Sequence, residues 1–98
     1  MRAFDEAKLL DDGRLKVEGP FDPEGMEVKL LRFVVTQGDM MVEGDNHHAG
    51  PTTWDGFTPA QGLQPGPAYG FAHAVLMAQG PPRRFETVTW GEAITITK

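Results

Sequence analysis

Residues 68–79, AYGFAHAVLMAQ, alternate bulky and bare side chains with a period of two, and no other feature limits the fold of this chain as strongly. Successive side chains of a β-strand point to opposite faces. Tyr69, Phe71, His73, Val75 and Met77 therefore share one face, and Ala68, Gly70, Ala72, Ala74, Leu76 and Ala78 share the other. The pattern predicts a central strand whose bulky face is covered by a second layer, with the His73 ring hydrogen-bonded inside it. Should the bulky face lie outward instead, Tyr69, Phe71 and His73 form an amphipathic binding strip.

The same period recurs along the chain. In EVKLLRFVVTQ, residues 27–37, the apolar phase changes from Val28 and Leu30 to Leu31, Phe33 and Val35, which predicts a bulge at Leu30 and Leu31. The next residues, Gly38 and Asp39, suit a two-residue type II′ hairpin loop with glycine first. That turn pairs Gln37 with Met40, Val35 with Val42 and Phe33 with Gly44. AKLL, DDG and RLKVEG read as a second hairpin with Leu15 and Val17 on one face. In FETVTWGEAITITK, Val88, Trp90, Ile94 and Ile96 share a face, and Gly91 marks a kink or a join between two short strands. The proline- and glycine-rich segments GPFDPEG, TPAQGLQPGP and QGPP read as connections, because proline breaks a ladder. A helix is conceivable only at FDEAKLL.

These elements predict an all-β fold, a single antiparallel β-sandwich of about seven strands, occupying residues 1–98 as one domain. Their order is a hairpin start, a long bulged strand turning at QGD, a strand at Trp54, a glycine- and alanine-rich strand at 68–78 and a last strand carrying Trp90. In that order the chain resembles immunoglobulin-like and fibronectin type III-like sandwiches over about residues 14–97. In texture it is similar to short actinobacterial sandwich proteins. The resemblance implies two packed sheets with loops at their ends, and it implies no activity.

Composition narrows the chemistry. The chain has no cysteine and no serine, which excludes disulfides, thiolate ligands, thiol nucleophiles and serine hydrolysis. Its net charge of −5 comes entirely from residues 1–49, where eleven acids face six bases. Only Arg83 and Arg84 are adjacent positive charges, so a nucleic-acid partner is not expected. No apolar run approaches the roughly 20 residues that cross a bilayer. MRAFDEAKLL places acids where a signal peptide has its apolar segment. The expectation is therefore no membrane partner and a cytoplasmic location, unless the chain is a processed mature form.

The window GDNHHAGPTTWDGF, residues 44–57, gathers His47, His48 and Trp54 and reads as a loop with the histidines at its crest. A zinc site needs three or four ligands, and here His47, His48 and His73 would have to converge, or Asp45 or Asp55 replace one of them. Adjacent residues of an extended chain face opposite sides, so His47 and His48 do not serve one metal without a turn. No catalytic residue, metal or cofactor is expected. The leading reading is a non-enzymatic binding or structural module presenting loops 44–53, 58–67 and 79–84 to a protein partner or to itself. Trp54, His47, His48, Tyr69, Arg83 and Arg84 are its candidate contacts. The alternative is a carbohydrate or small-ligand module using an aromatic strip of Trp54, Tyr69 or Phe71. A metal-dependent enzyme at His47, His48 and an acid is the third.

Overall fold

A computed structural model describes residues 4–20, 25–50, 53–78 and 80–98, with backbone alone at 29–30 and 46–50. Seven strands run through them: β1 (Glu6–Leu9), β2 (Arg14–Pro20), β3 (Glu27–Gln37), β4 (Met40–Gly50), β5 (Thr53–Pro59), β6 (Gly66–Ala78) and β7 (Arg84–Ile96). The segment FDEAKLL is extended from Glu6 onward, and no described residue is helical.

The strands follow the spatial order β1-β2-β5-β4-β3-β6-β7, and each neighbouring pair is antiparallel. One sheet is built on β1, β2 and β5, the other on β3, β6 and β7. β4 joins them, because Met40–Asp45 pairs with β3 while residues from Asn46 onward pair with β5. At the far ends, Lys8 and Thr97 form a parallel bridge, and Thr97 donates its N–H to the Ala7 carbonyl at 2.9 Å. The two sheets thus enclose one core, in the manner of a β-sandwich. The 13-residue strands β6 and β7, at roughly 3.3 Å per residue, set the long axis of a molecule measuring 47 × 22 × 19 Å.

Local chemistry explains the hairpins. Gly38 has a φ of 59° and Asp39 stays at negative φ, as a type II′ turn requires. The pairs Gln37–Met40, Val35–Val42 and Phe33–Gly44 follow from it. The phase change in β3 is a register shift between Val28 and Leu30. In the first hairpin Leu15 and Val17 are buried, and Asp12 clamps the turn by accepting the Arg14 N–H at 3.1 Å and its Nε–H at 2.7 Å.

Three expectations are corrected here. The first concerns β6, whose bulky face points outward while its bare face is the core side: Gly70, Ala72 and Ala74 are buried, whereas Tyr69 and Phe71 are exposed. The facing layer explains this, since Phe4 lies so close that a Cβ on Gly70 would come within 2.6 Å of its ring. Trp54 packs edge-on to Phe4 at 5.3 Å between ring centroids and stands 5.8 Å from Phe33. These rings fill the depth that a bare strand leaves open. The second concerns Gly91, which neither kinks nor divides β7; the strand keeps one register with β6 from Arg84 to Ile96. The third concerns GDNHH, which lies in β4 and not in a loop, because β5 supplies a ladder partner beyond Asp45.

Candidate binding surface

The outward face of β4, β3, β6 and β7 is built in cross-strand rows. Thr36, Tyr69 and Ala93 stand side by side in one row, with Met41 at its edge. The next holds Glu43, Val34, Phe71 and Gly91, and the one after it Asp45, Arg32, His73 and Thr89. Tyr69 and Phe71 retain 43% and 39% of their surface, with ring centroids 4.9 Å apart. Both rings lean toward Gly91: a Cβ there would meet Phe71 at 2.8 Å and Tyr69 at 3.0 Å. The glycine therefore lets two aromatic rings lie against the backbone of β7 as one platform. Polar pairs continue it along the strands. Arg32 Nε sits 3.3 Å from Asp45 Oδ1, and His73 Nδ1 is 2.6 Å from Thr89 Oγ1.

The opposite sheet presents a different face. Glu6, Glu18 and Asp55 are direct cross-strand neighbours on β1, β2 and β5, and His47 takes the next register position on β4. Like charges set side by side raise the cost of ionising them. The Glu18 carboxyl is held above its ordinary range first by its hydrogen bond with Glu6, then by burial; the charges of Glu6 and Asp55 add to this and that of Lys16 opposes it. Lys16 Nζ lies 3.8 Å from Glu18 Oε2. Farther along, the Arg14 guanidinium sits 4.6 Å above the Phe57 ring. Its bond to Asp12 holds that carboxyl below the usual carboxylate value.

The candidate contacts scatter over this framework. Trp54 is fully buried, with 0% exposure, so it cannot meet a ligand. His47 and His48 are consecutive residues of β4, and their side chains lie outside the described residues. Tyr69 belongs to the platform. Arg83 and Arg84 are exposed at the far end of the β6–β7 hairpin, where Arg84 pairs with Ala78. Ala78 and Tyr69 lie nine positions apart along β6, about 30 Å at strand spacing, so the arginines and the platform are separate features. His73 stands on the outward face, half-buried, and not in the core.

Of the three expected loops, 44–53 is strand at 44–50 and at Thr53, with 51–52 outside the described residues. The 58–67 segment is a loop at 60–65, fastened by Gln37, whose Nε2 donates to the Gln64 carbonyl at 2.9 Å and the Pro67 carbonyl at 3.1 Å. The 79–84 segment is the hairpin end, with residue 79 outside the described residues. Sequence reading missed Met41, Phe85 and the Glu6–Glu18–Asp55 row. The period-two phase holds the signal for them once the inward face is known.

Among the described residues no three histidine, aspartate or glutamate side chains are placed to hold a metal ion, and no helix is long and apolar enough to cross a membrane. The class defined by fold and surface is an all-β domain of two antiparallel sheets with an aromatic platform on one outer face. Comparison with known proteins found no match among family models, curated proteins or solved structures.

Proposed function

We propose that the protein is a non-enzymatic contact module of immunoglobulin-like architecture that binds a protein partner or another copy of itself. Strand order supports the architecture. Lettered A to G along the chain, β1-β2-β5-β4 follows the A-B-E-D order and β3-β6-β7 the C-F-G order of a constant-type immunoglobulin domain, with the added pairing of β4 to β3. The single observation carrying the function is the exposed Tyr69–Phe71 platform over Gly91. An outer sheet face facing only water normally carries polar residues, and a contiguous apolar patch there favours association. The contact surface in this reading is a sheet face, not the end loops.

The test compares wild-type protein with Tyr69→Ser, both verified as folded by near-ultraviolet circular dichroism. A partner retained by wild type and lost by the variant is the expected result, with no turnover across hydrolase and transferase substrates. Hydrolysis that disappears with His47→Ala would overturn it.

A second reading, a carbohydrate or small-ligand site, draws on the same platform with Arg32, Asp45, His73 and Thr89 beside it. Rings flanked by hydrogen-bonding groups suit a sugar face. Trp54 has no part in it, being buried. A glycan array read with wild type and Phe71→Ala distinguishes this reading, which predicts binding to a defined glycan that the variant loses.

A further inference from the structure

We infer that the free edge of β7 pairs with the same edge of a second copy, antiparallel, about a two-fold axis at Val88. The inference rests on the reading of a contact module and deepens it by naming the partner and a surface other than the Tyr69–Phe71 face.

The edge is identified by its hydrogen bonds. Thr97 exchanges main-chain bonds with β1, donating to the Ala7 carbonyl and accepting from Leu9 N–H at 2.8 Å. Its backbone groups therefore point away from β6. The β6–β7 register is unbroken, so every second residue toward the hairpin end shares that direction: Gly91, Thr89, Thr87 and Phe85. Among the described residues no strand pairs with them on that side. Every residue of 84–89 is exposed, whether it points inward or outward, and Phe85 keeps 65% of its surface. An edge this long, with no proline or bulge and with β-branched residues at Thr87, Val88 and Thr89, is a template for strand addition.

Charge selects the partner and the register. With Val88 facing Val88, Arg84 of each copy stands opposite Glu92 of the other, and the outward-pointing residues pair as Thr87 with Thr89 and Phe85 with Gly91. Opposite charges then meet at both ends, with Arg84 approaching a Glu92 carboxylate whose Oε1 also accepts the Phe4 N–H at 2.6 Å. The exposed Phe85 ring lands beside the glycine that already seats Phe71 and Tyr69. Moving the axis by one residue to Thr89 sets Glu86 against Glu92 twice, so like charges oppose that register. The Val88 register forms about eight main-chain hydrogen bonds, two for each facing edge pair. A contact made through one strand edge is small beside a standard interface of roughly 1,600 Å², so association is sought from micromolar concentrations upward.

Sedimentation equilibrium from about 5 to 500 µM, spanning weak association, is the first measurement. Wild type should pass from monomer to dimer. Thr87→Pro removes an edge-directed N–H and leaves the β6 ladder intact; it should raise the dissociation constant at least about tenfold, the loss of roughly one good contact. Because the chain has no cysteine, Val88→Cys supplies a register test independent of that variant's folding. Facing residues in a non-hydrogen-bonded antiparallel pair sit about 4.5 Å apart at Cα, within disulfide reach. Val88→Cys should oxidise to a covalent dimer much faster than Glu86→Cys. A monomer at every concentration, a dimer indifferent to Thr87→Pro, or equal oxidation of the two cysteine variants overturns the inference. None of these outcomes touches the Tyr69 comparison, so the two readings fail separately.

Discussion

Gly56→Ala should destabilise the protein although alanine is the better strand residue. Gly56 faces inward on β5, directly over the Phe33 ring. A Cβ there would lie 2.6 Å from Phe33 Cε1, 3.2 Å from Cδ1 and 3.1 Å from the Asp45 carbonyl oxygen. Carbon atoms are comfortable from about 3.5 Å, so the ring would have to retreat by about 0.9 Å. The ring has little room to move: Phe33 is buried, Trp54 stands 5.8 Å away, and Gly44 is close enough that a Cβ there would lie 2.9 Å from Phe33 Cζ. Overpacking of this kind costs about 1–3 kcal/mol. Removing glycine's freedom in the unfolded chain returns about 0.5–1 kcal/mol, which leaves a net loss centred on about 1 kcal/mol and reaching about 2.5 kcal/mol at most. At about 4–8 °C per kcal/mol for a domain of this size, Tm should fall by about 4–8 °C at the centre of that range. Urea unfolding followed by tryptophan fluorescence should show a lower midpoint at an unchanged slope. On a Phe33→Leu background the same substitution should cost at least about 1 kcal/mol less, a coupling expected of residues in contact. Equal or greater stability of Gly56→Ala, or strict additivity of the pair, would refute the close approach as the reason for glycine.

Two further outcomes follow from the packing and the charge rows. Glu18 holds its proton more tightly in the folded chain than an ordinary glutamate does. The native state therefore binds more protons than the unfolded one in that window, and stability falls as pH rises from the ordinary carboxylate value through the raised one. Glu18→Gln should accordingly be more stable than wild type at neutral pH and match it near about pH 3, where the glutamate is protonated in both states. A stability gap independent of pH would count against the carboxyl row as its cause. Gln37→Ala removes both donated bonds to the 60–67 segment and the Gln64 N–H accepted by Gln37 Oε1 at 2.8 Å. It should lower stability by about 1 kcal/mol and speed exchange of the Gln64 amide while leaving Val35 protected; unchanged exchange at Gln64 would remove the anchoring role.

Much of the candidate surface was present in the sequence as a pattern without a direction. The strip of Tyr69, Phe71 and His73 was legible as one face of a strand, and so was its bare counterpart. Which of the two meets water was not, because bulk alone favours the wrong side. The histidine pair was misplaced for a related reason. GDN and AGP have the composition of a turn, but β5 lies alongside and supplies backbone partners to residues from Asn46 onward, extending the strand through His47. Composition reports turn preference, whereas a ladder forms wherever a neighbouring strand satisfies its amides.

The sequence by itself determined what short-range geometry governs: the strands, the Gly38–Asp39 turn, the pairing register it imposes, and the absence of thiol and serine chemistry. These depend on a period of two and on a few backbone angles, both local properties. The tertiary structure alone decided that the bare face of β6 is the core, that Trp54 is sealed beneath the sheets and that β7 keeps an open edge. Each of these depends on whether distant residues such as Phe4 and Phe33 arrive to fill a given space, and burial is a property of the filled volume, not of the strand that borders it.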